Sequence, residues 1–202
     1  MSEAKLDITS TAVEKGIDLV KGFVEKLVGA SIEEVGLMWA DNVKLRRFKN
    51  QIKILTKAQK IVAESGINVK QISLKTLVPL LEYSSLEDDE TLQDKWTNLI
   101  VNFIDSNQKY ESTIFPFILN QLSSKEVFIL DDMYKNRLVN NYGNAKIHGI
   151  YKHNLIRLGV IEVVIDSGEM KTFTTMYTPP SNRVIITELG IEFVKCCSPR
   201  EK

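Results

Sequence analysis

Asn154-Leu155-Ile156-Arg157-Leu158-Gly159-Val160-Ile161-Glu162 is the stretch on which the fold of this chain turns. A short helical pattern over about 147–158 stops at Gly159, where a left-handed residue ends a helix, and Val160 opens a β-branched run to Ile165. Downstream, residues 166–182 read as a loop containing Ser167-Gly168 and Pro179-Pro180, and Arg183 to Thr187 read as a returning strand. Thr187 then caps a last helix through Cys197. Upstream, Ser123 and Glu126 form a capping box that starts a helix over 125–135, followed by a turn-rich segment to Asn144. Helix, helix, strand, loop, strand, helix is the order of a winged helix, although the second helix between Lys135 and Ile147 is weakly defined.

Everything before this region reads as helix. Thr11 and Glu14 fit a capping box over a stripe of Val13, Ile17, Val20, Val24 and Leu27. Ser31 with Glu34 opens a second pattern to about Ala63, whose inner face in its second half is Leu45, Phe48, Ile52, Leu55 and Val62. Unbroken, that helix would be about 50 Å long, so it must bend, break near Asp41-Asn42, or project as half of a hairpin. A shorter helix over 74–83 tolerates Pro79 only in its first turn or at a kink, and Ser84-Ser85 interrupt it. Asp88 or Asp89 caps the next, which buries Leu92, Trp96, Leu99 and Phe103. Another begins near Thr113. The expected fold is mainly α, an N-terminal helical bundle over 1–122 followed by a winged-helix-like α+β domain over 123–202.

Lys+Arg and Asp+Glu both number 26, so no global field draws the protein to nucleic acid or membrane. Cut after Tyr110, the chain has 15 basic and 16 acidic residues before the cut and 11 and 10 after it, so neither part is a basic domain. The only cysteines, Cys196 and Cys197, are adjacent and cannot staple a loop; the reducing cytosol is the expected compartment. Charges recur from Glu3 to Lys26, unlike a signal peptide, and no apolar run approaches the roughly 20 residues that span a bilayer.

Catalytic and metal chemistry find little purchase. His148 and His153 are five apart, which sets them about 140° apart around a helix and rules out a same-face zinc pair. Glu87, Asp88, Asp89 and Glu90 crowd a helix start, where capping and the helix dipole already account for them. No G-x-S-x-G elbow, phosphate-binding loop or dinucleotide fingerprint occurs. No enzyme activity, cofactor or metal is expected.

Two surfaces carry the sharper signals. Arg46, Lys49, Lys53, Lys57 and Lys60 recur at spacings of three and four, a basic stripe about 20 Å long on one helix. A solvated outer face explains most such stripes; nucleic acid, anionic lipid or an acidic protein surface is the alternative. The second is the expected recognition helix, with Lys146, His148, Lys152, His153 and Arg157, joined by Arg183 near the wing. Winged helices dock proteins as well as DNA. Between Asp166 and Asn182 the wing holds Asp166 and Glu169 against the single Lys171, which favours protein docking.

Gly29-Ala30-Ser31-Ile32-Glu33-Glu34-Val35-Gly36, leading to Arg46-Arg47-Phe48-Lys49-Asn50, resembles the bacterial abortive infection alpha family. So do Leu77-Val78-Pro79-Leu80-Leu81-Glu82 and the run from Leu86 to Leu99, with Leu158 to Ile161 and Leu189 to Val194. The resemblance covers most of 11–197. These are capped amphipathic helices rather than a catalytic fingerprint, and Thr97 stands where a small residue such as alanine is expected. The resemblance implies a phage-defence context and supplies no catalytic residues. The expected function is a non-enzymatic interaction protein of an abortive-infection system, docking a protein partner or itself. The alternative is a DNA-binding regulator acting through the C-terminal domain; a membrane-perturbing effector acting through the 11–28 helix ranks third.

Overall fold

The computed structural model describes residues 22–27, 45–109, 111–136, 147–166 and 181–200. They are mainly α-helical, with one small two-stranded antiparallel sheet near the C-terminus. Two compact units divide between Asn120 and Gln121, with Pro199 and Arg200 belonging to the first.

In the first unit, residues 22–27 are helical; α1 spans Leu45–Ser65, α2 Leu74–Ser84, α3 Glu90–Ile104 and α4 Ile114–Leu119. The Thr11 and Ser31 capping boxes, and the join between the 31–44 pattern and α1, lie outside the described residues. Ser73 caps α2, its hydroxyl accepting from the Thr76 amide, and Asp89 caps α3 by accepting from Leu92. Pro79 sits in the interior of α2, not in its first turn; the bond it forfeits is to the carbonyl of Lys75, a residue on the exposed side.

The inner face of α1 differs from the expected one. Gln51, Ile54, Leu55 and Ala58 are buried, Ile52 and Val62 only half so, and the side chains of Leu45 and Phe48 lie outside the described residues. A polar Gln51 on this face conceals it from an apolar pattern. Its amide nitrogen donates to the Leu81 carbonyl at 2.9 Å, which offsets part of the cost of burying it, while its Oε1 is buried with no hydrogen-bond partner among the described residues.

α3 lies at the centre of the unit. Its second half, from Leu99 to Ile104, is buried on every side, so one-face amphipathicity fades there. Trp96 is fully buried, and the Phe103 and Phe115 rings stand 6.3 Å apart. Thr97 is also buried, its hydroxyl satisfied by the Gln93 carbonyl at 2.8 Å, which is how a polar residue fits where a small one was expected. Beyond α3, Lys70 donates to Ile104 and Ser106 to Asn68, an isolated strand-like bridge around Val69 and Asp105. The buried Asp105 carboxylate meets Arg200, whose Nη1 lies 3.1 Å from Oδ2 but off the hydrogen-bonding direction, so the contact is chiefly charge against charge.

The second unit holds α5 (Ser124–Asn136), α6 (Gly149–Arg157), β1 (Ile161–Asp166), β2 (Ser181–Ile186) and α7 (Glu188–Cys196). The Ser123 capping box forms reciprocally: Glu126 Oε2 accepts from the Ser123 amide and hydroxyl at 2.8 and 2.7 Å, while the Ser123 hydroxyl accepts from the Glu126 amide. Residues 137–146, where a further helix was sought, lie outside the described residues. Gly159 adopts a φ of 72° and turns the chain from α6 into β1. The strands pair Ile161 with Ile186 and Val163 with Val184, burying Ile161 and Val184. Thr187 caps α7 by accepting from Gly190, and a Cβ on Gly190 would collide with the Val160 carbonyl oxygen, so that helix approaches the strand entry at glycine distance. α7 and β2 both pack on α5, and α6 packs on β1.

Candidate functional site

Two cationic helices were singled out as surfaces, and the fold sets them in different surroundings. Along α1, Arg47 donates to the Ser85 hydroxyl at 2.9 Å and Asn50 to the Ser85 carbonyl and Asp88 at 3.1 and 3.2 Å. Lys53 then meets Glu90 at 3.0 Å and Lys57 meets Asp94 at 2.6 Å. Both members of the two ion pairs advance by four residues, so α1 and α3 run parallel, with α2 as the connection between them. Lys60 pairs with Glu64 on its own helix at 3.7 Å, and Lys49 is exposed. The side chain of Arg46 lies outside the described residues. The stripe is therefore a mixed-charge seam along much of its length. Exposed pairs of this kind contribute about 0–1 kcal/mol each, enough to favour a register but little towards overall stability.

On α6 the surroundings are different. Leu155 is the one buried residue within the helix. His148, at its N-cap, is exposed and its ring stands 5.8 Å from that of Tyr151; His153 and Arg157 are exposed and Lys152 half-buried. Lys146 lies outside the described residues. Arg183 sits on β2, opposite Val164, half-buried. Four of the six expected recognition residues thus lie on or at the start of one short helix, and Arg183 on the adjoining sheet.

Arg157 is held in place. Its guanidinium donates to Asn154 Oδ1 at 3.2 and 2.7 Å and to Gln121 Oε1 at 2.7 Å, while Asn154 donates to the Gln121 carbonyl and to Glu126 Oε1 at 3.1 and 2.7 Å. One buried carboxylate therefore caps α5 and, through Asn154, orients α6. Gln121 and Asn154 were missed in the sequence because they are separated by 33 positions with no periodicity to link them. Ile150, 68% exposed, and Ile156, 37% exposed, were missed because the helix was read for its cations.

Two carboxyls depart from their usual acidity. Glu111 accepts from the Ser73 amide at 3.0 Å, as well as from the Ser73 and Thr76 hydroxyls, and these bonds hold it below the usual carboxylate range at the start of α2. Partial burial pushes Glu87 up, with repulsion from Asp89 and Asp88 adding to it, against the lowering effect of the Asp89 and Asp88 amides.

Among the described residues no group of three or more His, Cys, Asp or Glu side chains is placed to hold a metal ion, and no helix is long and apolar enough to cross a membrane. Cys196 and Cys197 are buried and not disulfide-bonded. A family model described as Abi_alpha, abortive infection alpha, matches residues 40–154, more than half of the chain. The match ends inside α6, before the strand pair. No curated protein and no solved structure matches the chain.

Proposed function

The chain belongs to the abortive infection alpha family, and from that membership we propose that it is a non-enzymatic interaction protein of a bacterial phage-defence system, acting in the cytoplasm through docking by its helices. The observation that carries the docking is α6, which buries only Leu155 while leaving Ile150 two-thirds exposed. Covering Ile150 and Ile156 with a partner would add the burial free energy that folding leaves unrealised. In this reading residues 1–122 and 123–202 act as two domains. The second is a winged helix, with α6 as its recognition helix and the segment between β1 and β2 as its wing; the helix–strand–strand–helix order from Gly149 to Cys196 supports it.

The test is phage challenge of cells expressing the full chain, with and without its neighbouring genes, beside an Ile150→Ser/Ile156→Ser variant. Fewer plaques with the wild type and a return to control numbers with the variant are expected. Equal plaque numbers in every arm would remove the defence reading. Full-length protein titrated with mixed-sequence duplex separates the DNA-regulator alternative. Tight binding that weakens with salt, and whose log–log slope falls by about 0.9 when Lys152 is replaced by Ala, would favour that alternative.

A further inference from the structure

We propose that the outer face of α6 docks the acidic corner around Leu86 of a second copy of this chain. The inference rests on the docking reading above and names its partner. At about 100° per residue, Leu155 and Leu158 point inward from α6 and His153 points away from them, flanked by Ile156 on one side and by Ile150 and Arg157 on the other. No acidic residue occurs from Ile147 to Leu158, and Lys152 and Arg157 form no ion pair among the described residues. The guanidinium of Arg157 is oriented by the neutral groups of Asn154 and Gln121, so its charge is positioned without being cancelled. A surface that fits this face must offer apolar contact to Ile150 and Ile156 and carboxylates to Lys152, His153 and Arg157.

The turn between α2 and α3 has that character. Leu86, 56% exposed, stands in the stretch from Glu82 to Glu90, which holds five acidic residues and no basic one. Glu82, Asp88, Asp89 and Glu90 are exposed around it, with Lys53 paired to Glu90 and Arg47 on the Ser85 hydroxyl as the cations that α1 brings to the corner. Partial burial, and after it repulsion from Asp89 and Asp88, disfavours ionisation of Glu87 there, and cations brought alongside would relieve the repulsion. Even with Arg47 and Lys53 beside it the corner keeps an excess of acid, so opposite charge surrounds the exposed apolar side chains of the two surfaces in a chain whose total charge is zero. The contact joins unlike patches. Made twice between two copies it closes a dimer, and otherwise it extends a chain. Its small extent makes the association weak and sensitive to salt.

The test is sedimentation velocity of the full chain from about 1 µM to about 200 µM, a range suited to a small interface. The weight-average mass should rise with concentration at low salt and fall back in about 0.5 M salt. Leu86→Ser and Ile150→Ser should each abolish the rise without moving the circular dichroism spectrum or the thermal midpoint, since both side chains are exposed. Charge reversal supplies the stricter arm. A Glu82→Lys/Asp88→Lys variant and a Lys152→Glu/His153→Glu variant, each shown to be folded, should be monomeric alone and should associate when mixed. A wild type that stays monomeric throughout, association unaffected by Leu86→Ser, or a mixture that does not associate would each overturn the proposal. Its failure is distinguishable from failure of the docking reading. A monomeric chain whose phage protection is lost on Ile150→Ser keeps the docking reading and loses the second copy. A self-associating chain whose protection survives Ile150→Ser does the reverse.

Discussion

Along α1, Lys53 and Lys57 meet Glu90 and Asp94 of α3 at 3.0 and 2.6 Å, whereas along α6 Lys152 and His153 have no carboxylate partner among the described residues. Both helices carry cations at helical spacing, and nothing local to either distinguishes them. The difference is supplied by what lies across each helix. α1 runs beside a helix that begins with Glu90 and reaches Asp94 one turn later, so its cations serve a seam inside one unit. α6 packs on β1 and buries Leu155, and its outer face is exposed. A basic stripe therefore says little about a ligand until the neighbouring helix is known.

The largest test of this contrast removes the support of the seam. Trp96 is fully buried on α3, so Trp96→Ala should cost about 3–5 kcal/mol in denaturant unfolding by leaving a cavity beneath the helix that faces α1. The indole Nε1 has no hydrogen-bond partner among the described residues, so Trp96→Phe should cost far less, within about 1.5 kcal/mol. A loss below about 1 kcal/mol for Trp96→Ala would mean that α3 is not the anchor it is taken to be.

On the α6 side the corresponding support is Glu126. Replacing it with Ala removes the acceptor for the Ser123 amide and for Asn154, and should cost about 1–2 kcal/mol, read as a fall in thermal midpoint. Glu126→Gln should recover part of this loss, because its amide oxygen still accepts one bond. Equal losses for Ala and Gln would show that the capping box contributes little to holding α6.

The seam itself should prove weak. A double-mutant cycle on Lys57 and Asp94 should return about 0.2–1 kcal/mol, shrinking in high salt, since both side chains are substantially exposed. A coupling above about 2 kcal/mol would mean that the α1 cations determine stability as well as register.

The smallest effect concerns pH at the two ends of α2, and its two halves have opposite signs. Glu111 is held below the value of about 4.5 it would have in an unfolded chain, so its contribution is fully present above that value and is lost as pH falls through its folded value. Glu87 is raised above the same reference, so its ionised form is disfavoured in the folded chain and its cost recedes as pH falls through its folded value. Acid unfolding of Glu111→Gln should therefore show a shallower loss of stability below about pH 4.5 than the wild type, and Glu87→Gln should gain stability at neutral pH. A stability–pH curve that is the same in wild type and both variants would refute the assignments.

The capped ends were legible in the sequence because a cap is a local contract: Asp89 with Leu92, Ser123 with Glu126 and Thr187 with Gly190 are each three residues apart, and the backbone needs the bond wherever the helix goes. Gly159 was legible for the same reason, since only glycine takes its positive φ at little cost. Leu92, Trp96, Leu99 and Phe103 share one face at helical spacing, and all four are buried. What no periodicity could reveal was which surfaces meet. The buried face of α1 begins with a glutamine whose partner is a carbonyl 30 residues away, and the ion pairs of α1 reach across 37. Likewise, nothing around Arg157 announces that Gln121 and Asn154 will hold it while Ile150 and Ile156 stay uncovered. Local sequence fixes where helices start and stop because those costs are settled within one turn of chain; which charges are cancelled and which apolar groups remain exposed depends on the distant segments that packing brings alongside.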